Sequence, residues 1–562
     1  MDSEVIKEVP IEVTIIDTGE TYSIPKQTRV NKLLRMSKVT KPYRIMGAHL
    51  NGRLVELNYR IKENCSIRFM DYSDLDAMRM YRRGLSFVLI KAAKKVFPRN
   101  DLLIRYYISE GLYCSFRDGT PVLSQKDLFK LKEEMERIVK AAIPFQRKEI
   151  STPDAITLFD KLKMHDKVRF FKYYNKEVTH VYYLDDMVNY FFGYLPPDTS
   201  YVDLFEFELM SPGFVLRFPL HYSPDKILPF RHQVKLVDVF REYESWAKIL
   251  EIEDVGSVNK LIAEKKDSEL IQIAEAMHEK KISSIADRIT HNFHRLRVVL
   301  VAGPSSSGKT TFTKRLALHL KANGLRLEQI SLDNYFLDRD FSPKDEKGEF
   351  NFEILEALDI EVFNEHLRDL IAGKKIELPR YDFGTGKKSA SGKKIKIDRD
   401  QLILIEGIHG LNDKLTYAIP QDKKFKIYIS PMTHLNFDNN NVVSSTDLRL
   451  IRRLVRDNFF RDYPPEQTME MWPKVRRGER ENIFIFLDDA DALFNSSLVY
   501  EMAALKSFVE PQLKAIGRDS PYYVEARRLL NFTSCFLSLN CSKEIPPTSI
   551  LREFIGGSAF KY

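Results

Sequence analysis

Cysteine is scarce in this sequence. Four residues in 562, Cys65, Cys114, Cys535 and Cys541, carry no C-x-x-C pairing. That spacing excludes a zinc ribbon and a disulfide framework, and it predicts the reduced, buried thiols of a cytosolic protein. Long apolar runs are missing too. None approaches the roughly 18 residues of a membrane-spanning helix. The opening Met1-Asp-Ser-Glu-Val has neither a basic n-region nor an apolar h-region, so no signal peptide is expected. There is no low-complexity tract and no repeat of fixed period, which excludes a solenoid. A net charge of +8 is modest for this length; it permits contact with phosphates or RNA without demanding it. What remains is ordinary globular composition, 44% apolar and 30% charged, on a length that predicts about three domains.

The most informative stretch is Arg297-Val-Val-Leu-Val-Ala-Gly-Pro-Ser-Ser-Ser-Gly-Lys-Thr-Thr311. Val298 to Ala302 reads as a buried strand. A helix follows, with apolar positions Phe312, Leu316 and Leu318. Between them Gly303, Gly308, Lys309 and Thr310 fit the phosphate-loop spacing G-x-x-x-x-G-K-S/T. Backbone N–H groups must converge on phosphate oxygens and side chains would obstruct them, so glycines stand at the turns. Gly303, Ser305, Ser306, Ser307, Gly308, Lys309, Thr310 and Thr311 are the expected nucleotide cradle. The new helix offers its N-terminus to the anion. Lys309 reaches the β/γ-phosphates, and the Thr310 hydroxyl is a ligand for Mg²⁺.

Downstream, strand and helix alternate as in a doubly wound α/β sheet. Leu325–Leu332 is a second strand that ends at Asp333. A carboxylate at a parallel strand's C-terminal end lies where such sheets bind ligands, which makes Asp333 the candidate base for a substrate hydroxyl. Gln401-Leu-Ile-Leu-Ile-Glu406 reads as a buried central strand whose tip, Glu406, is placed to hold Mg²⁺ or a water bound to it. Thr446–Asp457 is helical by period and lines Arg449, Arg452, Arg453 and Arg456 along one face. Such a stripe is stabilised by a transferring phosphoryl group. The alternative is a solvated face paired with Asp447 and Asp457.

Together these residues resemble the uridine kinase/phosphoribulokinase family, over roughly 297 to 500. The resemblance rests on Gly303–Thr311, Ser331-Leu-Asp-Asn-Tyr-Phe336, Ile376-Glu-Leu-Pro-Arg-Tyr-Asp-Phe383, Ile405-Glu-Gly-Ile408 and Arg449–Asp457. It implies a five-stranded parallel core, ATP as donor with Mg²⁺, Asp333 as base, and the arginine helix as a lid. Lys309, Arg453 and Arg456 would serve catalysis, and Asp333, Tyr335, Tyr381, Arg449 and Arg452 the substrate. In uridine kinases the Tyr-Asp-Phe segment opens a hairpin over the nucleoside, whose tip would here be Gly384–Lys394. The histidine that usually reads the base there falls at Gly386. The family also implies a homo-oligomer.

The N-terminal third alternates apolar and polar residues in Ile11–Ile16, turns at Asn51-Gly52, and becomes helical from Asp74 to Val96. Gly47–Leu57 with Asn64–Phe69 resembles the TGS domain, a β-grasp module of threonyl-tRNA synthetases. Tyr81–Pro98 and Ile143–Phe159 resemble the editing domain that follows it there. The family's H-x-x-x-H falls on Arg83 and Phe87, and its C-x-x-x-H near Phe205 and Leu209. None of these is a metal ligand or a base, so editing chemistry is expected to be lost. The third is then a scaffold for a ligand, a partner or RNA, or simple packing against the kinase. Between the two regions the chain is mostly helical, with Ser257 or Asn259 as a candidate cap and His278, His291 and His294 as surface or packing residues.

The expected architecture is α/β: a TGS-like domain at 1–72, a degenerate editing-like α+β domain at 73–225, a helical bridge at 226–295 and a P-loop kinase domain with a parallel sheet at 296–562. The expected function is an ATP-dependent nucleoside kinase acting at a 5′-hydroxyl. Alternatives are a kinase of another small hydroxylated metabolite, or an RNA- or ribosome-associated regulatory ATPase. The helices after residue 498 carry no evident chemistry.

Overall fold

A computed structural model of the chain describes residues 10–346 and 348–561. The opening residues, read above as free of a signal peptide, lie outside the described residues. No helix among those described is long and apolar enough to cross a membrane.

The alternation in Ile11–Ile15 buries every second residue, and the strand joins a five-stranded sheet. It pairs in parallel with Cys65–Asp71 and antiparallel with Thr21–Ile24. Ile45–Leu50 and Arg53–Glu56 complete the sheet across Asn51-Gly52, both at positive φ, as a two-residue hairpin turn requires. The helix Leu75–Val96 then packs on a four-stranded sheet ordered Glu206–Met210, Gly213–Arg217, Gly111–Phe116, Leu102–Ile108. A smaller sheet joins Phe145–Ser151, Val178–Leu184 and Met187–Asn189.

The helices Val234–Ile249, Val255–Ala263 and Asp267–His291 lead to the second half. Asp254, rather than Ser257 or Asn259, caps Val255–Ala263 by accepting from the Ser257 N–H. Asn259 is fully buried and bonds Cys535 and Leu537 instead. His278 is buried against the Ser497 carbonyl, where burial pushes its pKa down to about 3; His291 and His294 are exposed.

The C-terminal half is organised on a five-stranded parallel sheet in the order Arg326–Ser331, Gln401–Glu406, Val298–Ala302, Lys424–Ser430, Ala492–Asn495. Val298–Ala302 is buried throughout. Val299 and Val301 pack with Phe312 and Leu316 of the following helix, while Val298 and Leu300 pack with Ile403, Ile405 and Leu367 on the other face. Both faces are covered, which is why these strands read as unbroken apolar runs.

Two polar seams tie the halves together. In the first, the segment 436–441 after strand Lys424–Ser430 enters the N-terminal half. Asn436 donates to the Ile104 and Arg105 carbonyls, Asn441 donates to the Tyr190 carbonyl, and Asp438 pairs with the buried Lys167 at 3.1 Å. In the second, His49 meets Asp76, Arg79 bridges Asp76 and Glu525, and Arg528 bridges Glu525 and Asp447. Asp447 lies in the first turn of the arginine helix Ser445–Arg461, which Ser444 caps.

Candidate active site

The strand Val298–Ala302 delivers the chain into the loop 303–308, and packing dictates its glycines. A Cβ at Gly303 would stand 2.0 Å from the Ile429 carbonyl oxygen. Gly308 has φ +86°, open to glycine at little cost. Ser306 also has positive φ, a strained turn that aims successive amides inward. The Lys309 ammonium donates to the Pro304 carbonyl at 3.1 Å, and the Thr310 hydroxyl donates to Glu406 at 3.3 Å. Burial pulls the Lys309 pKa down, while the charges of Glu406, Asp333 and Glu553 hold it up.

Ser331 caps the short turn Leu332–Tyr335 that carries Asp333. Ser331 is registered opposite Glu406 on the adjacent strand, so the two acids converge at the strand ends. Desolvation by the surrounding protein raises the Asp333 pKa, with the Lys309 charge opposing, while the residue keeps exposed surface. Burial and then the Asp333 charge push Glu406 up to about 7. Its Oε2 is buried and has no hydrogen-bond partner among the described residues. An orphaned carboxylate oxygen beside a threonine hydroxyl is a hard oxygen donor set, and it fits Mg²⁺.

The arginine stripe requires correction. Its charges are balanced by acids rather than left waiting for an anion. Arg452, fully buried, donates to Glu501 and Ser496. Arg449 pairs with Glu479 and donates to the Ser305 carbonyl. Arg453 and Arg456 share the buried Asp457, and Arg453 also donates to the Ser305 hydroxyl at 2.9 Å. Asp447 pairs with Arg528 instead. Arg449 and Arg452 are thus held by buried acids of the fold, and Arg453 reaches the loop at Ser305 while Arg456 is held by Asp457. Tyr335 is likewise a core residue. It is fully buried, its hydroxyl 3.0 Å from His366 and its ring edge-on to Phe363.

Tyr381 lies on the strand Ile376–Asp382, its ring 5.6 Å from Phe336 and 5.1 Å from Phe383. This strand pairs with Lys387–Ile395, so the hairpin turns within 383–386, and Lys387–Lys394 is its returning strand rather than its tip. At Gly386, where the sequence lacks a histidine, Arg339 takes the space. Its N–H donates to the Gly386 carbonyl, its guanidinium donates to the Phe383 carbonyl, and a Cβ at Gly386 would meet Arg339 Nε at 2.7 Å.

Three acids escaped the sequence reading. Glu353 is pushed up to about 7, by burial and then by the nearby Glu479 charge. Glu479, fully buried, accepts the Ser305 N–H at 3.0 Å. Glu553, from the C-terminal tail, accepts both the Thr311 N–H and its hydroxyl. None lies in a periodic pattern or motif that would have marked it.

In the N-terminal half, the four positions that replace editing residues are structural. Arg83 donates to the Tyr194 carbonyl, Phe87 packs on Phe145 and Phe191, and Phe205 and Leu209 join the same core. Among the described residues, no group of three or more His, Cys, Asp or Glu side chains forms a metal cage.

Residues 298–503 match the profile of the phosphoribulokinase / uridine kinase family. The N-terminal region matches threonine–tRNA ligases. The ligase of Syntrophomonas wolfei is 34% identical over 116 residues, 21% of this chain and 18% of that protein. The ligase of Carboxydothermus hydrogenoformans is 27% identical over 202 residues, 36% of this chain and 29% of that protein. The chain therefore spans less than a third of these relatives' lengths. Among solved structures, a possible uridine kinase from Bacillus stearothermophilus aligns at 20% identity and a TM-score of 0.23, covering 35% of this chain and 88% of that one. The chain joins an N-terminal region similar to threonine–tRNA ligases to a region that matches the phosphoribulokinase / uridine kinase family profile.

Proposed function

We propose that this chain transfers the γ-phosphoryl group of ATP to a hydroxyl of a small acceptor, with a nucleoside 5′-hydroxyl as the preferred reading. One observation carries it: Asp333, with its raised pKa, stands at a strand end beside Lys309 and Glu406. A bare nucleotide switch has no need of a base there. Asp333 accepts the acceptor's proton, made more basic by its surroundings. The loop amides and Lys309 hold the β/γ-phosphates. Arg453, bonded to the loop at Ser305, and Arg456 beside it stabilise charge on the transferring group. Thr310 and Glu406 would hold Mg²⁺, which supplies charge neutralisation across the β- and γ-phosphates when bound. Tyr381 and the aromatic cluster around it offer an acceptor an apolar wall.

The test is ADP release from ATP and Mg²⁺ over uridine, cytidine, purine nucleosides, other sugars and polyols, and no acceptor. Acceptor-stimulated turnover that falls at least about 100-fold in Asp333→Asn supports the reading. Stimulation by a non-nucleoside alone keeps the chemistry and moves the acceptor class. Turnover indifferent to every small acceptor refutes it. A second reading, an RNA-associated ATPase, draws on the similarity to threonine–tRNA ligases. Under it, RNA retention would fall steeply with salt.

A further inference from the structure

The phosphate loop already holds an anion of the protein's own. The tail segment 545–557 packs against it. Ile550, Leu551 and Phe554 are fully buried, and a Cβ at Gly308 would stand 2.4 Å from Ile550 Cγ2. The Phe554 ring lies under the Arg452 guanidinium, 5.0 Å from ring centre to Cζ, and Ser549 hydrogen-bonds Glu275 of the long bridge helix. This anchoring delivers Glu553, on the short helix Arg552–Ile555, to the start of the helix Lys309–Ala322. There its Oε2 accepts the Thr311 N–H at 3.2 Å and the Thr311 hydroxyl at 2.7 Å.

The amides at this helix start are the donors with which a phosphate loop cradles α- and β-phosphates. Glu479, the other acid on a loop amide, is neutralised by Arg449 and Arg476. Glu553 forms no ion pair among the described residues, and its charge bears instead on Lys309 and Glu406. A triphosphate brought to the same donors would lose two hydrogen bonds to Glu553 and meet its charge at contact distance.

We propose that Glu553 is an autoinhibitory latch: the tail carboxylate occupies a phosphate position of the loop, and nucleotide binding requires it to withdraw. The apparent nucleotide affinity is then lowered by the fraction of chains in which the latch is closed. The inference rests on the ATP reading of the loop given above.

The test is calorimetric titration of the full chain with Mg²⁺·ATP, inorganic pyrophosphate and adenosine, for wild type, Glu553→Gln and Glu553→Ala, with thermal melts alongside. Gln keeps the shape and an acceptor for Thr311 but removes the charge. The latch expects ATP and pyrophosphate to bind tighter in both variants, on the order of tenfold, and adenosine to bind as in wild type. ATP affinity that is unchanged or weaker in the variants overturns the latch alone, and a lowered melting temperature beside it makes Glu553 a plain helix cap. Equal tightening of adenosine also overturns it, because adenosine brings no anion. If none of the three proteins binds ATP or pyrophosphate, the ATP reading falls and the latch with it.

Discussion

Glu353 and Glu406 are both pushed to about 7, against an ordinary 4.5, and burial is the first cause for each. Between those values the folded chain keeps protons that the unfolded chain gives up. Their protonation therefore favours folding at low pH, and the contribution fades as pH rises through about 7. Replacing Glu353 by Gln should raise stability on the order of 1–2 kcal/mol at pH 8 and leave it nearly unchanged at pH 4.5. Denaturant melts at the two pH values check this; equal effects at both would mean Glu353 is not held protonated. Gly386 makes a different point. Its φ of +72° and the Arg339 side chain against it leave no room for a Cβ. Gly386→His, the residue that a uridine kinase resemblance would place there, should loosen the hairpin by about 1 kcal/mol or more and add no base recognition while Arg339 stays. A matching gain of uridine selectivity in the acceptor panel would refute that.

At the scale of elements, the arginine helix shows how far the sequence carries. Its Ser444 cap was not read, while its period is a local feature and was legible over Thr446–Asp457. The fate of its charges was not, because Glu479 and Glu501 lie 30 and 49 residues away along the chain. Period places Arg449 and Arg452 on one face with Arg453 and Arg456, and only the packing separates them. The phosphate loop, Asp333 and Glu406 were readable because backbone geometry fixes their spacing. Glu353 and Glu553 were not, because Glu353 sits in an irregular segment and Glu553 on a one-turn helix more than 240 residues from Thr311. Arg452→Met should cost about 3–5 kcal/mol, since it leaves Glu501 buried without its partner. Arg453→Met should cost about 1 kcal/mol, since Asp457 keeps Arg456 and Arg461, and should lower turnover instead. Paired melts and turnover measurements separate the two roles; equal destabilisation would place both arginines in the scaffold.

On the scale of the whole molecule, the two halves share a buried polar seam as well as apolar surface. Lys167 is almost wholly enclosed and answers to Asp438 and Asn440 of the other half. Lys167→Met should destabilise the chain by about 3 kcal/mol through the stranded Asp438. Adding Asp438→Asn should recover much of that loss, and a double variant no better than the single would mean the pair is not the coupling. The seam also orders events in time. A ribosome finishes Lys167 well over 250 residues before it reaches Asn440, and domains fold largely as they emerge. Lys167 is thus synthesised long before Asp438 and Asn440, the groups of the other half that meet its ammonium. That same segment leads directly into the helix bearing Arg453 and Arg456. The stitch that segment 436–441 makes in the N-terminal half thus also fixes where the arginine helix begins.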